Sequence, residues 1–119
     1  MDEKNHQRII HIQEAIISIR KFCQDRSVED FLSDDILYSA ILHKFLIIGE
    51  SVARIDAEFL KKYDYPWYKP RAFRNFIAHE YFQILPESIW ATISNDLNGL
   101  EAMINRILKE EFHDNSPEQ

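Results

Sequence analysis

The chain has 119 residues, 45% of them hydrophobic, which is enough for one compact core but hardly for two domains. Only two glycines and four prolines interrupt it, so a fold of short strands joined by frequent turns is disfavoured. The formal net charge of −6 argues against a protein that coats nucleic acid by general phosphate neutralisation. We therefore expect one all-α domain of four to five helices over residues 1–112, followed by a flexible tail at residues 113–119.

The single cysteine and the N-terminal segment indicate a compartment. Cys23 has no second cysteine to pair with, and its position in an apolar helical pattern predicts a buried thiol. The first eight residues, MDEKNHQR, are charged and lead into an amphipathic stretch, not into a signal or membrane-spanning run. We expect a soluble, cytoplasmic protein with no membrane association.

Apolar residues recur at intervals of three and four over most of the chain, as one buried face of an α-helix requires. The predicted helices, in chain order, are residues 5–23, 34–63, 70–81 and 86–112, with a kink at residues 95–99 of the last. After the first helix, Ser27 and Ser33 are candidate N-caps, so a short helical turn is expected there. Two prolines, Pro66 and Pro70, separate the second helix from the third.

Gly49 lies inside the second predicted helix and has two readings. An interior glycine costs roughly 1 kcal/mol relative to alanine. Either another part of the chain approaches closely at that point, or the helix tolerates a weak spot. The sequence supports both readings equally.

Residues 61–81 differ in charge from the rest of the chain. They contain five basic residues and two acidic ones, a net charge of +3 within an acidic protein. The basic residues are Lys61, Lys62, Lys69, Arg71 and Arg74. We expect any phosphate-bearing partner to bind here.

The same region holds the highest density of chemically active side chains, in the stretch RAFRNFIAHEYF. Arg74 can grip phosphate oxygens bidentately and stays charged, whereas His79 can move protons, because the free histidine side chain titrates at about pH 6.5. Asn75 lies one turn before His79 and could orient it or contact phosphate. Tyr81 is seven residues after Arg74 and is nearly eclipsed with it on an ideal helix. Arg74 and His79 are five residues apart, so they diverge by about 140° and converge only through arginine's reach, a distorted helix or a partner subunit.

Arg74, His79 and Tyr81 together reproduce the pattern RxxxxHxY, and through it the chain resembles the HepT toxin family of HEPN-type proteins. Asn75 matches the polar residue that usually follows the arginine. The surrounding pieces that also look like this family are Gly49-Glu50, Pro66-Trp67 and the segment WATISNDLNGL at residues 90–100. The resemblance spans roughly residues 37–108, and Pro70 is a departure that puts the start of the motif helix in question.

The resemblance implies an HEPN-type up-and-down bundle and a toxin of a type II or type VII toxin–antitoxin pair. Its implied activity is that of a metal-independent endoribonuclease acting on an RNA substrate as a symmetric homodimer. Its implied partner is a minimal nucleotidyltransferase antitoxin, which would adenylylate Tyr81. The alternative is a non-catalytic helical module that binds a nucleotidyltransferase through the same helix.

In this reading Arg74, His79 and Asn75 are catalytic, and Arg71 and Lys69 are candidates for binding RNA. No cofactor is expected. No metal is expected either, because the five histidines are scattered and lack Cys or carboxylate partners at ligand spacing. His6, His11, His43 and His113 are interpreted as surface or structural residues.

The candidate residues also have structural interpretations. Arg74 could simply pair with a carboxylate such as Glu50, His79 could be a hydrogen-bonded interior histidine, and Tyr81 could serve packing alone. The aromatic residues beside Lys69 could stack RNA bases or cover the core. These aromatic residues are Tyr65, Trp67 and Tyr68.

Overall fold

The computed structural model describes residues 3–112, which form seven α-helices and contain no strand. The helices are α1 (Glu3–Cys23), α2 (Val28–Ser33), α3 (Asp35–Arg54), α4 (Ala57–Leu60), α5 (Tyr68–His79), α6 (Pro86–Asn95) and α7 (Leu97–Phe112), with a 3₁₀ turn (Tyr81–Gln83) after α5. Five of them have ten or more residues, so the expected all-α, HEPN-type bundle is confirmed. The predicted tail at residues 113–119 lies outside the described residues.

The core forms around α3, which lies between α1 and α5, while α7 packs on α1 and α6 packs on α7 and α2. Most of the fully buried side chains are isoleucines at helical spacing, each contributing roughly 1.5–3 kcal/mol by burial. They include Ile9, Ile12, Ile16 and Ile19 of α1, Ile41 and Ile48 of α3, and Ile104 and Ile107 of α7. By length and composition α3 could cross a bilayer, but a buried core helix of this kind has the same properties.

The short helix α2 has the predicted capping serine, whereas α3 does not. Ser27 Oγ accepts a hydrogen bond from the Asp30 amide at 3.1 Å, and the Asp30 carboxylate accepts one from the Ser27 amide at 3.0 Å, a capping box. The prediction that Ser33 is a cap is wrong. Asp34 caps α3 by accepting from the Leu37 amide at 3.1 Å, which lowers the pKa of the Asp34 carboxyl, while the Ser33 hydroxyl bonds back into α2.

The second predicted helix does not run to residue 63, because α3 ends at Arg54. Ile55 is extended, with φ −83° and ψ 142°, and Asp56 precedes the short α4. Asn5 of α1 is bonded to this corner: it is 3% exposed, donates to Asp56 Oδ2 at 3.2 Å and accepts from the Asp56 amide at 3.3 Å. Because Ile55 and Phe59 are both buried, the helical spacing of apolar residues continues across the corner, so the sequence pattern does not reveal where α3 ends.

The remaining helix ends agree more closely with the sequence. The kink expected at residues 95–99 is confirmed, since α6 ends at Asn95 and α7 begins at Leu97. Pro70 is the third residue of α5, within the first turn, where its missing N–H leaves no helical bond unmade. Cys23 is only partly buried, and that burial raises the pKa of its thiol.

Candidate active site

The motif helix α5 crosses α3 in close contact at Gly49. A Cβ atom on Gly49 would lie 2.2 Å from Cβ of Arg74 and 2.7 Å from the carbonyl oxygen of Pro70. Both distances are shorter than real Cβ contacts allow, and one of the atoms belongs to backbone. The close-approach reading of Gly49 is therefore confirmed, and the glycine fixes the stem of Arg74 against α3.

Arg74 is held at this crossing by an ion pair with Glu50. Its Nη1 atom donates to Glu50 Oε1, and the other carboxylate oxygen accepts from Nε of Arg54 at 2.7 Å. The pKa of the Glu50 carboxyl lies below its ordinary value. The hydrogen bond from Arg54 is the largest cause, and the positive charges of Arg54 and Arg74 lower the pKa further. The pairing considered from the sequence is thus present. It leaves 27% of the Arg74 side chain exposed, and Arg74 Nε is buried without a hydrogen-bond partner among the described residues.

His79 is the last residue of α5, and its side chain is exposed. Within residues 3–112 it makes no side-chain hydrogen bond, so the interpretation as a bonded interior histidine is wrong. Asn75 is also exposed, and no hydrogen bond joins it to His79 in this part of the chain. The structure therefore presents His79 to solvent at the end of the helix that fixes Arg74.

Tyr81 does not continue the motif helix. Glu80 leaves helical geometry, with φ −117° and ψ 31°, and Tyr81 begins the 3₁₀ turn. The expected eclipse of Tyr81 over Arg74 is therefore wrong, because the helix ends two residues too early. Tyr81 is 48% exposed, and its ring meets the Phe82 ring edge to face with the centroids 5.3 Å apart. Burial raises the pKa of Tyr38, and the nearby Tyr81 raises it further.

The positive charge of residues 61–81 is partly neutralised by ion pairs. Lys61 pairs with Glu58 at 3.1 Å, and Lys62 pairs with Glu111 at 2.8 Å. Together with Arg74 on Glu50, three of the five basic residues are thus occupied. Lys69 and Arg71 are exposed and form no ion pair in the described part of the chain. These two therefore keep their positive charge unpaired at the surface of this region.

The three aromatic residues around the start of α5 differ in their contacts and exposure. The Trp67 indole donates to the carbonyl oxygens of Leu60 and Tyr63, each at 3.2 Å, so Trp67 fastens α5 to α4. Tyr65 packs against Trp67 with ring centroids 4.8 Å apart. Tyr68 is 60% exposed and remains available for contact with a ligand.

An open groove of about 570 Å³ lies beside α5, and no sequence pattern predicted it directly. It runs between α5, the adjacent part of α3 and the junction of α6 with α7. Its apolar lining includes Phe45, Ile48, Tyr68, Phe73, Phe76, Leu97 and Leu100, and its polar lining includes Lys69, Thr92 and Asp96. Gly99, which the sequence marked only as a weak helix former, also lines it and was the one available signal.

The remaining histidines and acidic residues form no second site. Among residues 3–112, no three His, Cys, Asp or Glu side chains lie close enough together to hold a metal ion. His6 stacks on Phe112 with ring centroids 4.0 Å apart, as expected for a structural residue. His11 and His43 are exposed, and His113 lies outside the described residues.

An all-α bundle that presents an arginine and a histidine five residues apart on one short helix defines the class as HEPN-type. The chain belongs to the HepT-like ribonuclease family: the family model described as "Ribonuclease HepT-like" matches residues 12–107. No solved structure matches the chain.

Three relatives are similar over most of this chain. A protein of Caldanaerobacter subterraneus subsp. tengcongensis, provisionally named an RNase, is 36% identical over 71% of this chain and 77% of its own length. The "Probable ribonuclease HepT" of Thermococcus cleftensis is 29% identical over 82% of this chain and 90% of its own length. A Methanocaldococcus jannaschii protein, named a gamma-glutamylcyclotransferase and, provisionally, an RNase, is 29% identical over 84% of this chain. The chain spans only 46% of that longer protein.

Proposed function

We propose that this protein is a metal-independent endoribonuclease and the toxin of a toxin–antitoxin pair. The observation that carries the proposal is the arrangement on α5, where Arg74 is braced by Glu50 and Gly49 while His79 is free at the helix end. Membership of a ribonuclease family and the unpaired cations Lys69 and Arg71 support it.

In the proposed reaction the 2′-oxygen of RNA attacks the adjacent phosphorus, and the bond from phosphorus to the 5′-oxygen of the next nucleotide breaks. The 2′-hydroxyl gives up one proton and the departing 5′-oxygen takes one. His79 moves one of these protons as general acid or general base, and Arg74 stabilises the charge that grows on the phosphate oxygens. Asn75, exposed between them, contacts the phosphate.

We propose that the active form is a symmetric homodimer in the cytoplasm. Arg74 faces α3, whereas His79 ends the helix on its solvent side, so a single copy does not bring the two together. Beside His79 the chain exposes apolar side chains that a second copy would cover, Phe82 at 96% and Leu85 at 65%. Light scattering should report twice the 14.2 kDa mass of one chain, and a strict monomer at micromolar concentration would contradict the shared site.

We propose that a minimal nucleotidyltransferase neutralises the toxin by adenylylating Tyr81. The phenol oxygen attacks the α-phosphorus of ATP, pyrophosphate leaves, and the phenol proton passes to solvent. Half exposure of Tyr81 makes its oxygen accessible, and the added anion beside His79 would repel an RNA phosphate. Intact mass spectrometry after co-expression should show adenylate on the parent and none on Tyr81→Phe.

The nuclease proposal is tested by incubating purified protein with total RNA in the presence of EDTA. The parent should cleave, and His79→Ala should lose about 10²- to 10⁴-fold of the rate. His43→Ala, which removes an exposed histidine of α3 away from the motif, is the matched control and should cleave like the parent. Cleavage that needs a divalent metal, or that survives His79→Ala, would exclude this mechanism.

One observation favours a second function, a non-catalytic module that binds a nucleotidyltransferase. Arg74 already has a carboxylate partner in Glu50, as a purely structural arginine would. Stable complex formation by a chain that neither cleaves RNA nor arrests growth when expressed alone would support this alternative.

A further inference from the structure

The groove beside α5 is open and largely apolar, although it borders the helix of the proposed active site. Its volume of about 570 Å³ falls in the range of small-molecule sites. Buried side chains such as Phe45 and Leu100 close its inner side, and the partly exposed rings of Tyr68 and Phe76 stand at its margin. The groove is therefore shaped to take a flat or apolar group from outside.

Gly99 indicates that the groove is kept open. It lies in the first turn of α7, and a Cβ atom added to it would meet nothing within 4 Å. Glycine weakens a helix by up to about 1 kcal/mol relative to alanine, and no contact inside this chain requires it here. Gly99 is exposed and lines the groove, so the absence of a side chain here widens the opening that a ligand could enter.

Two groups of opposite charge at the groove define the chemistry of that occupant. Asp96 is exposed and makes no side-chain hydrogen bond among residues 3–112. Burial raises the pKa of the Tyr65 phenol, and the nearby charge of Asp96 raises it further. Lys69 is the exposed cation without an ion pair in the same lining. A nucleotide complements all three features: its base stacks on aromatic rings, a base amine donates to a carboxylate, and its phosphate pairs with lysine.

We propose that this groove binds an unpaired nucleobase of the RNA substrate, with a preference for bases that carry an exocyclic amine. The inference rests on the proposed ribonuclease function and adds to it a site for substrate selection. Uracil has a carbonyl oxygen at the position where cytosine has that amine, and this oxygen would be repelled by the Asp96 carboxylate, so uracil is disfavoured. An apolar protein side chain would use the apolar wall but neither Asp96 nor Lys69.

The groove and the proposed catalytic residues lie along one helix. Phe76 of the groove lining precedes His79 by three residues, which is a rise of about 4.5 Å along the axis. A strand whose scissile phosphate lies at His79 can therefore place a nearby base beside Phe76. The occupied groove would then set which bond is cut.

The test measures oligonucleotide binding without cleavage, using the full chain carrying His79→Ala. Fluorescein-labelled hexacytidylate and hexauridylate are matched in charge, length and ring size, and they differ in the exocyclic amine. Fluorescence anisotropy should show about tenfold tighter binding of hexacytidylate. Adding Asp96→Asn should bring the two affinities to within about twofold of each other.

Gly99→Phe in the same background fills the groove and should weaken hexacytidylate binding by about 5- to 150-fold, the range for loss of one stacked base. Ala102→Phe places the same ring on an exposed position of α7 outside the groove lining and should bind like the His79→Ala chain. Circular dichroism establishes that each variant is folded. Gly99→Ala narrows the groove by only one methyl group, so its effect on hexacytidylate affinity should be smaller than that of Gly99→Phe.

Three results would overturn the inference. Hexacytidylate affinity that is unchanged by Gly99→Phe would leave the nuclease proposal intact and remove the base site. A change in oligomeric mass with Gly99→Phe, at unchanged oligonucleotide affinity, would make the groove a protein interface. No binding of either oligonucleotide, joined with no cleavage of total RNA by the parent, would remove both proposals.

Discussion

The two glycines of this chain lie on opposite sides of the motif helix and serve opposite purposes. At Gly49, α3 and α5 are so close that no side chain fits between them. At Gly99, the structure leaves open space in which a side chain would meet nothing. The tight side of α5 holds Arg74 in place, and the open side faces the groove. Two residues of the same type thus distinguish the part of the site fixed by the fold from the part left free for a ligand.

The largest expected effect is on the tight side, at Arg74. Arg74→Lys keeps a positive charge beside Glu50 but cannot reproduce the guanidinium fork, so we expect the RNA cleavage rate to fall about 10²-fold or more. Stability in urea should change little, because the side-chain stem still packs against Gly49. Full cleavage by Arg74→Lys would mean that Arg74 only joins the helices.

Gly49→Ala should produce the next effect, this time on stability. The new methyl group would collide with Cβ of Arg74 and with the backbone of Pro70, so α5 must move away from α3. Overpacking of this kind costs about 1–3 kcal/mol. Urea denaturation measures the loss, and cleavage should fall with it because the Arg74–Glu50 pair is displaced. A free energy of unfolding equal to that of the parent would show that the crossing can relax.

Acidification should weaken the tight side in particular. The pKa of the Glu50 carboxyl is lowered by folding, so its contribution to stability is present above the unfolded pKa of about 4.3 and is lost as pH falls through the folded value. Glu50→Gln should therefore flatten the fall in urea midpoint below about pH 5. Glu14→Gln, at an exposed position of α1, is the control, and an equal flattening there would contradict the assignment to Glu50.

The smallest expected effect has the opposite sign. Gly99→Ala should stabilise the protein by about 0.4–1 kcal/mol, because alanine restricts the unfolded chain and the open side leaves room for its methyl group. Thermal or urea unfolding measures this gain. A loss of stability in Gly99→Ala, or a gain in Gly49→Ala, would contradict the assignment of Gly99 to an open side of α5 and of Gly49 to a tightly packed one.

The confirmed sequence predictions concern features that depend on residues close together along the chain. The spacing of apolar residues placed the main helices, Ser27 marked a cap, and RxxxxHxY identified the motif helix and its resemblance. Gly49 was recognised as a possible close approach, but the residue that approaches it, Arg74, is 25 positions away and could be identified only from the structure.

Two of the failures, the corner at Ile55 and the groove, depend on residues that are far apart in the sequence. The corner at Ile55 is held by Asn5, whose hydrogen bond spans 51 residues, while the local apolar spacing continues undisturbed. The end of α5 at His79 moved Tyr81 away from its expected position above Arg74, because the 3₁₀ turn follows a change of backbone angles at Glu80. The groove is made by residues of four helices, α3, α5, α6 and α7, so no local pattern could indicate it.

The link between Asn5 and Asp56 also bears on the order in which the molecule assembles. Helices form within about a microsecond, whereas contacts between distant residues must first overcome the entropy of closing the intervening loop. Until α1 docks, the two hydrogen bonds between Asn5 and Asp56 that hold the corner after α3 are absent. We expect refolding to pass through a species with an overlong central helix, and Asn5→Ala to lengthen the lifetime of that species in stopped-flow circular dichroism.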